Sequence, residues 1–247
     1  MVLTALRGAV GFLTRLPVGH DERAWDAFRR RVYVFPLAGY PIGLLVGLPF
    51  FLPAPGPTVA FLYLLAVVLV TGINHVDGLA DVGDAMAVHG EGEQRRAAMK
   101  DTAVGVGAVV AVGVALLGLA LGAVQLASLP PRRALGIAIA AEVGAKLSMA
   151  TLAGLGKPGH EGLGSQLLGA SPSHAALALL IATPAALLAW PSAAAGGAVV
   201  AGPAVAVGCW LWARSALGGV SGDIFGASNE LARVAGLQAG VVVWTLS

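Results

Sequence analysis

A single cysteine, Cys209, stands among the 247 residues. One thiol excludes an intramolecular disulfide, and no Cys or His pair has the spacing of a zinc site. Its surroundings, "AVAVGCWLW", fit a buried inert thiol. Charge is scarce as well. Only 11% of the residues are Asp, Glu, Lys or Arg, where a soluble domain carries about 25%. Together with a mean hydropathy of +0.82, that deficit excludes an ordinary soluble domain. No strong charge of one sign is present either, with 15 Lys and Arg against 13 Asp and Glu. The basic isoelectric point is thus a small-number effect, and no nucleic-acid partner is expected. A cleavable signal peptide is not expected, because the apolar core of "MVLTALRGAVGFLTRLPVG" is interrupted and followed by charge. Residues 1–33 read as a cytoplasmic or interfacial segment with a retained helix.

What the chain has in quantity is apolar length. A bilayer-spanning helix needs about 20 mostly apolar residues. Candidate spans are 34–53, 57–76, 103–127, 134–155, 175–191, 193–213 and a short one at 231–246. The expected fold is all-α: a polytopic integral membrane bundle of about six to seven transmembrane helices, forming a single domain over 1–247. Most of the abundant glycine fits close helix approach in lipid.

Basic residues orient the bundle. Arg7, Arg15, Arg23, Arg29, Arg30 and Arg31 precede the first span. Arg95, Arg96, Lys100, Lys157, Arg214 and Arg233 fall on the same side if seven spans alternate, and only Arg132 and Arg133 fall on the other. The N-terminus is therefore expected in the cytoplasm of a multi-pass cell-membrane protein. The polar loops 74–102, 156–174 and 214–230 all land on that side. A site at the cytoplasmic membrane face follows from their convergence.

The second candidate span runs into "TGINHVDGLADVGDAM". Asp77, Asp81 and Asp84 follow i, i+4, i+7 spacing, which places them within roughly 60° on a helix. Three carboxylates on one stripe near low dielectric repel, and a cation relieves that. Oxygen-only ligands favour Mg²⁺, Mn²⁺ or Ca²⁺ over zinc. A second glycine-flanked acid lies in "GGVSGDIFGASNE", where Ser221, Gly222 and Asp223 form a loop suited to phosphate or metal. Asp77, Asp81, Asp84 and Asp223 are the expected metal ligands. Lys100, Lys157, Ser221 and Gly222 are the expected phosphate contacts, although Lys100 also fits an interfacial anchor. Lys146 lies within a span and is placed to pair with Glu142 at i−4. Asp84, last on the acidic stripe, is the expected general base, with Asp81 beside it and His160 of "HEGLG" next in line. These parts together suit metal-assisted phosphoryl transfer.

Six stretches in order resemble the cobalamin (5′-phosphate) synthase family, with adenosylcobinamide-GDP ribazoletransferase activity. They are "FLTRLPVG", "FPLAGYPIG", "NHVDGLADVGDA", "MKDTAVGVGA", "HEGLG" and "GGVSGDIFGASNE". The resemblance implies a Mg²⁺-dependent membrane transferase. It would join adenosylcobinamide-GDP to α-ribazole or its 5′-phosphate, giving adenosylcobalamin or its 5′-phosphate and GMP. Asp77, Asp81 and Asp84 fall on the family's acidic motif and Asp223 on its C-terminal one. The chain departs from the family pattern at Ala103 and near Lys146, where arginine is usual, and at Arg233, where a second acid is frequent. Association into homo-oligomers is left open. Two rivals differ in sequence signature. A CDP-alcohol phosphotransferase continues its acidic motif with an Ala-Arg pair and a longer Asp spacing. A cation-coupled transporter places acids at span midpoints and carries an internal repeat.

Overall fold

The apolar runs fold as helices in the computed structural model, which describes residues 1–19, 21–159 and 162–247. The α-helices are α1 (Val2–Leu13), α2 (Glu22–Arg29), α3 (Val34–Gly47), α4 (Gly56–Thr71), α5 (Asn74–Ala87), α6 (Gly92–Ala98), α7 (Val106–Leu126), α8 (Pro131–Leu155), α9 (Pro172–Ala182), α10 (Ala194–Ala216) and α11 (Gly222–Thr245). Short 3-10 segments follow α3, α8 and α9. Among the described residues no strand forms; one isolated bridge pairs Pro158 with Val220.

Helix α8 is the axis of the bundle, packed by α3, α10 and α11. Alanine is the commonest residue among its buried positions, including Ala138, Ala140, Ala141, Ala145, Ala150 and Ala153. Small side chains bring backbones together where lipid offers no hydrophobic drive between helices. The polarity runs the opposite way from that of a soluble protein. Phe61, Leu69, Val109, Val114, Leu180 and Val200 are exposed, while Glu142, Lys146 and Arg233 are 0% exposed. An apolar rim around buried charge is the pattern lipid imposes. This is a multi-pass membrane protein.

Four helical stretches are long and apolar enough to cross a bilayer: Val34–Phe51, Val106–Leu126, Pro131–Leu155 and Ala194–Ala216. A fifth pass exists if α4 and α5, bent by 99°, count as one. The expected six to seven is higher. Each of the seven expected runs is helical, but three fall short for identifiable reasons. Helix α4 stops at Gly72, whose φ of +72° is open to glycine and strained for other residues. Helix α9 gives way to a 3-10 segment at Thr183–Leu187, where Pro184 enters. Helix α11 carries Asp223, Glu230 and Arg233.

After the 99° bend, α5 turns away from the line of α4 and lies across the ends of α7 and α11. Its closest approaches are to the first turns of other helices: Gly78 to Asp223, His75 to Gly226, and Gly83 to Gly107 and Ala111. The same end collects the loops after α8 and α10. Val220 N–H donates to Lys157 O at 2.8 Å, Gly159 N–H to Val220 O at 3.1 Å, and the Arg96 guanidinium to Leu217 O at 2.9 Å. The far end is a cavity lined by Phe51, Pro130, Arg132, Arg133 and Leu188. Loops separated by more than a hundred residues therefore meet at one face.

Candidate active site

Helix α5 divides into two faces. His75, Gly78, Leu79, Val82 and Gly83 are buried, and the acids occupy the opposite side, as the 3.6-residue period requires. Asp77 is exposed, and Asp81 and Asp84 are half-buried. Gly78 sets how near this helix comes to α11. A Cβ there would stand 2.8 Å from Asp223 O and 2.9 Å from Asp223 Cα. Gly78→Ala is thus expected to destabilise the fold by about 1–3 kcal/mol and to push Asp223 away from α5. A thermal melt of the detergent-solubilised protein checks this; an unchanged melt with full activity would show that the close approach is dispensable.

Asp223 opens α11, and its Oδ2 accepts the Ser221 hydroxyl at 3.1 Å. The carboxyl of Asp81 is pushed up to about 6, first by burial and then by the negative charges of Asp223, Asp77 and Asp84. Asp81 is thus within the field of each of the other three acids. Asp84 is held differently from the expectation of a free base. Its Oδ2 accepts Gly105 N–H at 2.9 Å and its Oδ1 accepts Ala108 N–H at 2.8 Å. It therefore caps the start of α7, satisfying donors that a helix N-terminus leaves open.

The donor set fits a hard divalent cation, since it is oxygen-only and self-repelling. Among the described residues the side chains as placed do not bring three such donors onto one point. Lys100 lines a cavity of about 200 Å³ together with Arg96, Gly159, Gly219, Ser221 and Asp223. Gly222 lines a second cavity of about 570 Å³ on the other side of Asp223. Lys157 is set apart. It lines a neighbouring cavity with Trp210 and Arg214 that does not reach Asp223. His160 lies outside the described residues.

Sequence reasoning counted Arg96 only as a topology signal, yet it joins Lys100 beside Asp223. Its position four residues before Lys100 was the available clue. Trp25, Phe12 and His75 form a wall of the larger cavity. Nothing in their spacing indicated that, because the N-terminal segment reaches the site only through tertiary packing.

The comparisons with known proteins converge on one family. A family model described as cobalamin-5-phosphate synthase (CobS) matches residues 5–241. The chain belongs to that family. It is 54% identical over 257 aligned positions to an adenosylcobinamide-GDP ribazoletransferase of Halorubrum lacusprofundi, covering 99% of both chains. A protein of the same name from Haloquadratum walsbyi is 46% identical with 100% of both chains covered. One from Methanocella arvoryzae is 36% identical over 98% of this chain and 97% of its own. No solved structure matches. Asp77, Asp81, Asp84, Arg96, Lys100 and Asp223 all fall inside the matched range.

Proposed function

We infer that this chain is a membrane transferase that joins adenosylcobinamide-GDP to α-ribazole or its 5′-phosphate and releases GMP. The observation that carries the reading is the meeting of acids and cations at one bundle end. Asp223 lines a cavity with Arg96 and Lys100, and Asp81 lies within the fields of Asp223, Asp77 and Asp84, in a chain whose full-length relatives carry that enzyme name.

The chemistry is a phosphoryl transfer in which the protein mostly positions groups and offsets charge. A ribazole hydroxyl oxygen bonds to the phosphorus attached to cobinamide. The bond from that phosphorus to the bridging oxygen breaks, and its electron pair leaves with GMP. The hydroxyl proton goes to Asp81, whose carboxylate takes no hydrogen bond from the described residues, whereas both oxygens of Asp84 are occupied. Arg96, Lys100 and the Ser221 hydroxyl hold the diphosphate. Asp77 and Asp223 would hold Mg²⁺, with the remaining lone pairs of Asp84 beside them. A bound Mg²⁺ supplies charge neutralisation on the diphosphate oxygens.

Mass spectrometry of membranes incubated with adenosylcobinamide-GDP, ribazole and Mg²⁺ is the test. The joined corrinoid is expected. Its absence, with turnover of CDP-diacylglycerol and an alcohol instead, would favour the CDP-alcohol phosphotransferase chemistry.

We place the site on the cytoplasmic face of the cell membrane, from the distribution of basic residues. In a Cys209→Ala background, single cysteines at His89, Lys157 and Ser215 should label only from the cytoplasmic side, and one at Pro55 only from outside. Labelling of His89 and Ser215 positions from opposite sides would dismantle the shared site.

A further inference from the structure

The larger cavity beside Asp223 has features that phosphate binding does not use. Phe12 and Trp25 line it, with ring centroids 5.3 Å apart. His75 completes the aromatic wall, 6.4 Å from Phe12 and edge-on to it. Trp25 is fixed in place, its Nε1–H donating to Gln166 Oε1 at 3.2 Å. Asp21 and Glu22 also line the space, and the described lining residues include no Lys or Arg. Asp21 uses Oδ1 to accept Arg23 N–H at 2.9 Å, which leaves its second oxygen. His75 is 7% exposed, and its Nδ1 has no hydrogen-bond partner among the described residues. A buried polar atom without a partner costs free energy unless a ligand satisfies it.

A planar ring that carries hydrogen-bond donors fits these walls. Aromatic faces stack on any base. Carboxylates accept hydrogen bonds and cannot donate them, so they select a ring edge bearing N–H groups. Guanine presents an N1–H and a 2-amino group on one edge; adenine and the fused ring of ribazole do not. A cavity of about 570 Å³ lies within the range of roughly 300–1,000 Å³ usual for small-molecule sites.

We propose that this cavity is the guanine subsite of the donor, with Trp25 stacking on the base and Asp21 and Glu22 accepting its N1–H and 2-amino hydrogens. The proposal rests on the reading that the donor is GDP-linked. It lays the donor across Asp223, with the guanosine on the Trp25 side and the diphosphate reaching Arg96 and Lys100 on the other. His75 Nδ1 is left to a further polar atom of the base or ribose.

Calorimetric binding of GMP, IMP and AMP to the purified full-length protein tests it without turnover. GMP is expected to bind at least about 10-fold more tightly than AMP, with IMP between them because it lacks the 2-amino group. Trp25→Ala should weaken GMP binding roughly 10-fold to 100-fold, the range a lost base–aromatic stack gives, and Trp25→Phe should restore most of it. Glu22→Gln and Asp21→Asn should bring the GMP and AMP affinities together while the protein stays folded, since Asn retains the capping oxygen. Equal binding of GMP and AMP by the wild-type protein would overturn the proposal. So would a Trp25→Ala variant with unchanged GMP binding and a raised KM for ribazole, which would make the cavity the acceptor's. Failure of the two readings is distinguishable. GMP binding through Trp25 without any joined corrinoid would retire the transferase reading and leave the guanine subsite standing. Normal turnover with GMP binding indifferent to Trp25 and Glu22 would retire the subsite alone.

Discussion

Asp81→Asn is expected to lower turnover by about 100-fold or more while the protein still inserts and melts normally. The carboxylate is half-buried beside Asp77, Asp84 and Asp223, and the amide that replaces it cannot take up the proton of the attacking hydroxyl. Its neighbours should respond differently. Asp77→Asn and Asp223→Asn should lose rate and raise the Mg²⁺ concentration needed for half-maximal activity. Titrating Mg²⁺ against GMP release in the three variants separates the roles. If excess Mg²⁺ restores Asp81→Asn, Asp81 is a ligand and the proton goes elsewhere. Wild-type turnover of Asp81→Asn would remove it from the site altogether.

Glu142→Ala should be the most damaging substitution for folding. In the bundle core, Glu142 Oε2 accepts the Lys146 ammonium at 2.6 Å, and Glu142 also pairs with Arg233, which in turn pairs with Glu230. Two acids and two bases form one closed group between α8 and α11. Removing Glu142 orphans Lys146, leaves Arg233 with Glu230 alone, and so strands one uncompensated positive charge in a low-dielectric interior, at a cost of about 3–5 kcal/mol. Loss of folded protein from membranes, followed by size-exclusion chromatography in detergent, is the readout. Replacing all four charges together with apolar residues should recover much of the loss, because no uncompensated charge then remains. Comparable yields of the wild type and Glu142→Ala would mean that the network carries little of the stability.

The network also marks what could be read in the chain and what could not. The Lys146–Glu142 pair was legible because i, i+4 spacing dictates it. Arg233, 91 residues from Glu142, was not, and it read instead as a cytoplasmic edge charge or a family departure. Glu230 shares a helix face with Asp223 by its i+7 spacing, yet it is buried against Arg233 and Asn229. The acidic stripe of α5 was legible from periodicity alone. The capping of α7 by Asp84 was not, since it depends on how closely Gly83 lets the two helices meet. Span counting runs a little high at Gly72 and Pro184 because backbone geometry is not read by apolar content. Apolar content measures length in lipid, while a single backbone angle or a missing N–H decides where the helix ends.

The central claim is that the face bearing Asp77, Asp81 and Asp223 transfers a phosphoryl group from a GDP-linked corrinoid to ribazole. GMP release by the purified protein, measured with and without ribazole at fixed Mg²⁺, tests it most directly. The account predicts one GMP for each ribazole joined, no release without ribazole, and loss of release in Asp81→Asn. GMP release that does not need ribazole, or that persists in Asp81→Asn, would contradict it.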